Sequence, residues 1–177
     1  KILQRLKSRV GTGGTKGTLV LLFCLVISAC GFKLRGSVDV PPSLQRVHLT
    51  TQQESSTVRT VRRLLQGNGV QLVETPDAAP YQLQILSESS ERRAATLNSR
   101  AKTEEYELRS TLNFQVLDRA NKVVLAPVQL VTEQVYTFDE NNVNAKDEEE
   151  ALLRREMRDN LAQQLVRRYL GLAARQQ

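Results

Sequence analysis

The 177-residue chain is long enough for one domain of ordinary size with a single core, and 40% hydrophobic and 5% aromatic content without tryptophan excludes a bundle of membrane spans. Its formal net charge of +6 suggests a nucleic-acid partner until the charges are located: Lys1, Arg5, Lys7, Arg9 and Lys16 all lie in the first 29 residues, which hold no acid. The remainder carries only +1, too little for the broad basic field that nucleic-acid binding needs, so no nucleic-acid partner is expected.

Residues 1–29 read as a removable export signal. Lys1 to Lys16 is basic, Leu19 to Ile27 ("LVLLFCLVI") is an unbroken apolar run, and Ser28 and Ala29 are small. At about 1.5 Å rise per residue this run is too short to cross a hydrocarbon core of about 30 Å. A buried core helix would show polar positions at helical spacing, and the run has none. The chain begins at Lys1 rather than Met, so a few residues are expected to precede it.

Ile27-Ser28-Ala29-Cys30 resembles the bacterial lipobox, in which the cysteine sulfur receives a diacylglycerol and cleavage frees its amine for a third acyl chain. Each buried acyl CH₂ contributes about 0.8 kcal/mol, so several chains anchor the protein essentially permanently. The resemblance implies lipidation at Cys30 as the only attached group, with no cofactor and no metal. Cys24 would leave with the signal, so no disulfide is expected. Gly31 follows Cys30 where inner-membrane retention typically uses Asp, which by that analogy implies the outer membrane, facing the periplasm.

Residues 30–44 are expected to be the lipidated N-terminus and an extended tether, because Pro41 and Pro42 suit neither a helix nor a central strand. Residues 45–177 are expected to form a single α+β domain. Gln45 to Thr51 alternates, with Val47 and Leu49 on one face, and predicts a strand. Ser55 or Ser56 offers an N-cap; Val58, Val61, Leu64 and Leu65 form a helical stripe; Gly67-Asn68-Gly69 stops it. Val70 to Val73 is a short extended piece, Pro76 to Pro80 a loop, and Tyr81, Leu83 and Ile85 predict a second strand.

Residues 87–103 ("SESSERRAATLNSRAKT") have no strong period and are expected to be a loop widening away from the sheet. From Tyr106 the alternation is clean: Tyr106, Leu108, Leu112, Phe114 and Val116 face one way, and Glu105, Glu107, Arg109, Thr111, Asn113 and Gln115 the other. Asp118 to Lys122 reads as a turn, and Val123 to Tyr136 as the partner strand. Pro127 inside it demands an edge or a bulge. Asp139 to Asn144 reads as loop. Asp147 to Leu170 is a long helix with acids expected in its first turn, Leu153, Met157, Leu161, Leu165 and Tyr169 along one stripe, and Gly171 at its end. The sum is an α+β two-layer sandwich: a mostly antiparallel sheet of about four strands with two helices packed on one face, the other face polar.

No catalytic constellation is legible. His48, opposite in phase to Val47 and Leu49, is expected to face solvent without partners for base or metal work. No GxSxG, phosphate-binding glycine loop or CxxC occurs. Glu104-Glu105 would face opposite sides of a strand, and Glu148 to Glu150 would complement a helix dipole. A non-enzyme is expected.

The residues at and after the lipobox carry a narrower resemblance. "CGFKLRG" at Cys30 is similar to the mature N-terminus of the LptE family of outer-membrane lipopolysaccharide-assembly lipoproteins: Cys-Gly, an aromatic, then x-Leu-Arg. "VRRLLQGNGVQL" resembles that family's first helix and its exit, "TEEYEL" the opening of its third strand, and "AKDEEEALLRREMRDNLAQQLVRR" its final helix. The resemblance implies a lipoprotein inside the lumen of a large outer-membrane β-barrel, the lipopolysaccharide translocon, which it helps assemble and plugs. It also implies binding of lipopolysaccharide on its way to the outer leaflet. A lipid-anchored periplasmic scaffold that does not bind lipopolysaccharide is the alternative. In the family, a basic residue of the loop between the second and third strands and a Lys just before the last helix are linked to lipopolysaccharide. "AKD" puts that Lys at Lys146, and "NSRAKT" puts the Arg at Arg100, with Lys102, Arg92 and Arg93 as neighbours able to substitute.

Overall fold

The topology is decided by the helix that follows the first strand. The computed structural model describes residues 40–97 and 99–175, and the export signal and Cys30 lie outside them. Strand β1 (Arg46–Thr51) leads into helix α1 (Ser56–Gly67), and the chain returns in the two-residue strand β2 (Gln71–Leu72). A helical crossover brings the chain back in its starting direction, so β2 lies parallel to β1. Strand β3 (Tyr81–Leu97) then pairs with the other side of β1, again in parallel. Strands β4 (Thr103–Asp118) and β5 (Val123–Thr137) add as an antiparallel meander, giving the order β2-β1-β3-β4-β5. Helix α2 (Val143–Leu170) closes the fold.

The α+β class, the two helices and the polar outer face agree with the sequence, but the sheet has five strands and is mixed. The expected antiparallel hairpins describe only β3 to β5. Residues 87–97 are not a loop: β3 runs on to Leu97, paired with β4 to the end. Both faces of that extension are solvated, so it lacks the apolar alternation by which strands are recognised. Cross-strand polar pairs hold it instead: Ser89 with Thr111 at 3.1 Å, Ser90 with Ser110 at 3.1 Å, Arg93 with Glu107 and Thr96 with Glu105 at 3.0 Å.

One core lies between the helices and the sheet. Val58, Val61 and Leu65 of α1 and Leu161, Leu165 and Tyr169 of α2 meet Val47, Leu83, Ile85, Leu112, Phe114 and Val116. Leu44 joins this core from a 3-10 turn, Pro42–Leu44, where an extended tether was expected. Its carbonyl accepts a hydrogen bond from the buried Tyr169 hydroxyl at 3.1 Å, tying the start of the domain to the end of α2. A smaller cluster of Leu108, Tyr136 and Met157 lies farther along the long strands.

The local signals mostly act as read. The Ser55 hydroxyl accepts from Val58 N at 3.1 Å as the α1 N-cap, and Gly69 takes the left-handed conformation (φ +80°) that ends the helix. Pro127 is in a bulge of an edge strand: Ala126 and Pro127 together oppose Gln115. Helix α2 starts four residues earlier than the acids suggested. Its first turn therefore holds no acid, and the dipole reading of Asp147 to Glu150 does not apply. His48 is half-buried rather than solvent-facing, with Nδ1 2.9 Å from the Val73 carbonyl.

Candidate functional site

At about 3.3 Å per residue, β4 extends some 50 Å, and α2 at about 1.5 Å per residue covers some 42 Å alongside it. The ends of β3, β4 and β5 and the start of α2 therefore come together, away from the main core. Arg100 and Lys102 are exposed in the β3–β4 turn, where Ala101 has a left-handed backbone (φ 58°). Lys102 Nζ lies 2.7 Å from Glu140 Oε2, in the segment before α2, and Phe138 N donates to Glu104 O at 2.8 Å. The turn is thus sewn to the segment that leads to Lys146. Lys146 stands in the first turn of α2 rather than before the helix, half-buried, with Nζ 2.8 Å from Glu149 Oε2. Arg100, Lys102 and Lys146 share this end of the molecule.

Arg92 and Arg93 are not in the turn. Consecutive strand residues point to opposite faces, so the two part company. Arg93 lies on the open face beside Glu107. Nη2 donates to Oε2 at 3.0 Å and lies 2.7 Å from Oε1, an ionic contact without an aligned hydrogen bond. Arg92 turns toward α2: Nη1 meets Glu150 Oε2 at 2.9 Å, and the guanidinium lies 4.7 Å from the Tyr106 ring centroid.

Around Arg92 is a network that sequence reasoning missed. Glu150 accepts from Tyr136 Oη at 2.5 Å, from Arg92 and from Arg154 Nε at 2.8 Å. Arg154 Nη1 also donates to Ser90 Oγ at 2.6 Å. Tyr106 stacks on Tyr136 with centroids 5.8 Å apart and meets Phe138 edge-on at 5.3 Å. Burial pushes the Glu150 carboxyl up, but the hydrogen bonds from Tyr136, Arg154 and Arg92 outweigh it and hold it below the usual carboxylate range. Burial, then the bond to Glu150, pushes the Tyr136 phenol up to about 12. The bond to Glu150 raises Arg92 further above its ordinary value. All three groups are fixed in the charge states that suit the network. The Glu150–Arg154 spacing of four residues was the one local signal; the cross-strand neighbours required the register.

The open face behaves differently. Along its far half, Glu91, Glu105, Glu107 and Glu133 surround two guanidiniums, Arg93 and Arg109, so this face carries an acid surplus. The cleft of about 380 Å³ beside the α1 N-terminus is lined by Thr51, Gln53, Ser55 and Glu88. Glu88 there accepts hydrogen bonds from Ser55 and Thr57 and braces the start of the helix. Among the described residues no cluster of His, Cys, Asp and Glu is arranged to hold a metal ion, and no helix is long and apolar enough to cross a membrane.

Comparison with known proteins adds to this geometry. A family model described as LptE, lipopolysaccharide-assembly, matches residues 37–169. The LPS-assembly lipoprotein LptE of Pectobacterium atrosepticum is 34% identical over 164 residues, covering 90% of this chain and 88% of its own. Among solved structures, the crystal structure of a minor lipoprotein from Acinetobacter baumannii superposes with a TM-score of 0.60 at 29% identity, over 72% of this chain and 92% of that one. The solution structure of lipoprotein B from Nitrosomonas europaea shares the fold, with a TM-score of 0.72 at 23% identity, over 81% of this chain and 93% of that one.

Proposed function

The chain belongs to the LptE family of lipopolysaccharide-assembly proteins, and from that premise we propose that it is an outer-membrane lipoprotein, acylated at Cys30, that binds lipopolysaccharide through Arg100, Lys102 and Lys146 at one end of the domain. It sits inside a large β-barrel translocon, which it plugs and helps assemble. The work is binding and assembly rather than turnover.

The observation that carries the binding assignment is the junction of the β3–β4 turn with the start of α2. The Lys102–Glu140 and Phe138–Glu104 contacts place Arg100 and Lys102 beside the helix that carries Lys146. Guanidinium and ammonium groups pair with phosphate, so such an end suits the phosphorylated head of lipopolysaccharide. Arg92 and Arg93 lie farther back along β3, on opposite faces, paired with Glu150 and Glu107.

Binding of lipopolysaccharide to the purified mature chain tests this. The double substitution Arg100→Glu and Lys146→Glu is expected to weaken binding about tenfold or more, with circular dichroism unchanged. Unaltered affinity would reject the two residues. A wild-type chain with no measurable affinity would leave the non-binding scaffold. For the barrel, the lipidated protein is expected to co-purify from detergent extracts with one large outer-membrane β-barrel, and isolation without any would count against the plug.

A further inference from the structure

The two edges of the sheet are unlike. Strand β2 closes one edge with only two residues, whereas β5 leaves a strand of 15 residues on the other. Proteins normally blunt such an edge with lysine, proline or brevity, because its unpaired N–H and C=O groups are a template for another strand. The sequence of β5, "VVLAPVQLVTEQVYT", contains no Lys or Arg. Its proline lies in the bulge with Ala126, so Val128 to Thr137 beyond it is uninterrupted. Among the described residues no strand pairs with this outer side.

The side chains say what kind of strand would fit. Register places Glu91, Arg109 and Glu133 in one row across β3, β4 and β5 on the open face. Arg109 Nη1 is 2.6 Å from Glu133 Oε1, and one guanidinium stands between two carboxylates. The row ends at the open edge in a carboxylate and has one cation for two carboxylates. The flanking rows end in Val131 and in Val135, the latter 53% exposed. A second copy of this chain does not complete the pattern, since its own β5 brings no Lys or Arg to the Glu133 row.

We propose that the β5 edge from Val128 to Thr137 is an interaction surface that takes up an extended strand of a different polypeptide, with Lys or Arg facing Glu133 and β-branched residues facing Val131 and Val135. Backbone hydrogen bonds supply the affinity of such strand addition, and the alternating side chains supply the choice. This surface is distinct from the end that holds Arg100 and Lys146 and does not depend on lipopolysaccharide binding.

The test uses the full lipidated chain in detergent and two synthetic ten-residue peptides. Both alternate Thr with Val and differ in one central residue, Lys or Glu. Hydrogen exchange is expected to show new protection at alternate amides of residues 128–137, with the Lys peptide bound about two- to fivefold more tightly. The preference is expected to invert in Glu133→Lys. In Glu133→Gln, which spares Arg109 a like-charged neighbour, the preference should vanish while protection persists. Absence of protection, equal binding of the two peptides, or an unchanged preference in Glu133→Lys would overturn the proposal. So would concentration-dependent protection without peptide, accompanied by a dimer in sedimentation, which would make the occupant a second copy.

Discussion

Glu150→Gln is the sharpest test of how the far end of the fold is held. The substitution keeps the shape of the side chain and removes the charge on which Tyr136, Arg92 and Arg154 converge. The Glu150 side chain is only 13% exposed, so its bond from Tyr136 belongs with hydrogen bonds to charged groups, about 1.5–3 kcal/mol. Arg92 is 44% exposed, and solvent screening limits its share to under about 1 kcal/mol. The Arg154 pair, one turn away on the same helix, adds about 0.5 kcal/mol. Glutamine still offers one acceptor oxygen, so the expected net loss is about 2 kcal/mol, or roughly 4–8 °C in Tm. The pH dependence gives the sign. Because the folded-state carboxyl is held below its ordinary value, its contribution is complete above the unfolded pKa and fades as pH falls through the folded one. Urea unfolding of the mature wild-type and variant chains should therefore differ by about 2 kcal/mol at neutral pH, and the gap should shrink in acid. A difference below about 0.5 kcal/mol at neutral pH, or a gap that does not change with pH, would refute the reasoning.

Three further outcomes are expected. Ultraviolet titration of the four tyrosines should show Tyr136 ionising near 12 and the buried Tyr169 later than a free phenol, and the step near 12 should vanish in Tyr136→Phe. Phe114→Ala, at a fully buried position in the main core, should cost about 3–5 kcal/mol in denaturant titration with the m-value unchanged. Tyr169→Phe should cost about 1 kcal/mol by loss of the bond to the Leu44 carbonyl, and it should speed proteolysis at the start of the domain more than in the β3–β4 turn.

Much of the architecture was legible where one face meets the core. The alternation in β4, the stripe of α1 with its Ser55 cap and Gly69 exit, and the awkward Pro127 each state a local physical requirement that the fold then meets. The far half of β3 was not legible, because Ser87 to Leu97 has solvent on both sides and its pairing is specified by β4. The start of α2 was misplaced for a related reason. Val143 and Asn144 are exposed and carry no apolar period, so the acids after them looked like the helix opening.

The sequence by itself determined that the domain is α+β, that one sheet face is apolar and the other polar, and which family motifs run from Cys30 to the last helix. Those properties depend on residues close together in the chain. Only the tertiary structure decided that Arg92 and Arg93 point to opposite faces, that Arg92, Tyr136, Glu150 and Arg154 form one network, and that Lys102 reaches Glu140. Each of these rests on strand register or on the placement of α2 against the sheet. Contacts across strands, or between the sheet and α2, leave no periodic trace in the chain, and packing alone fixes them.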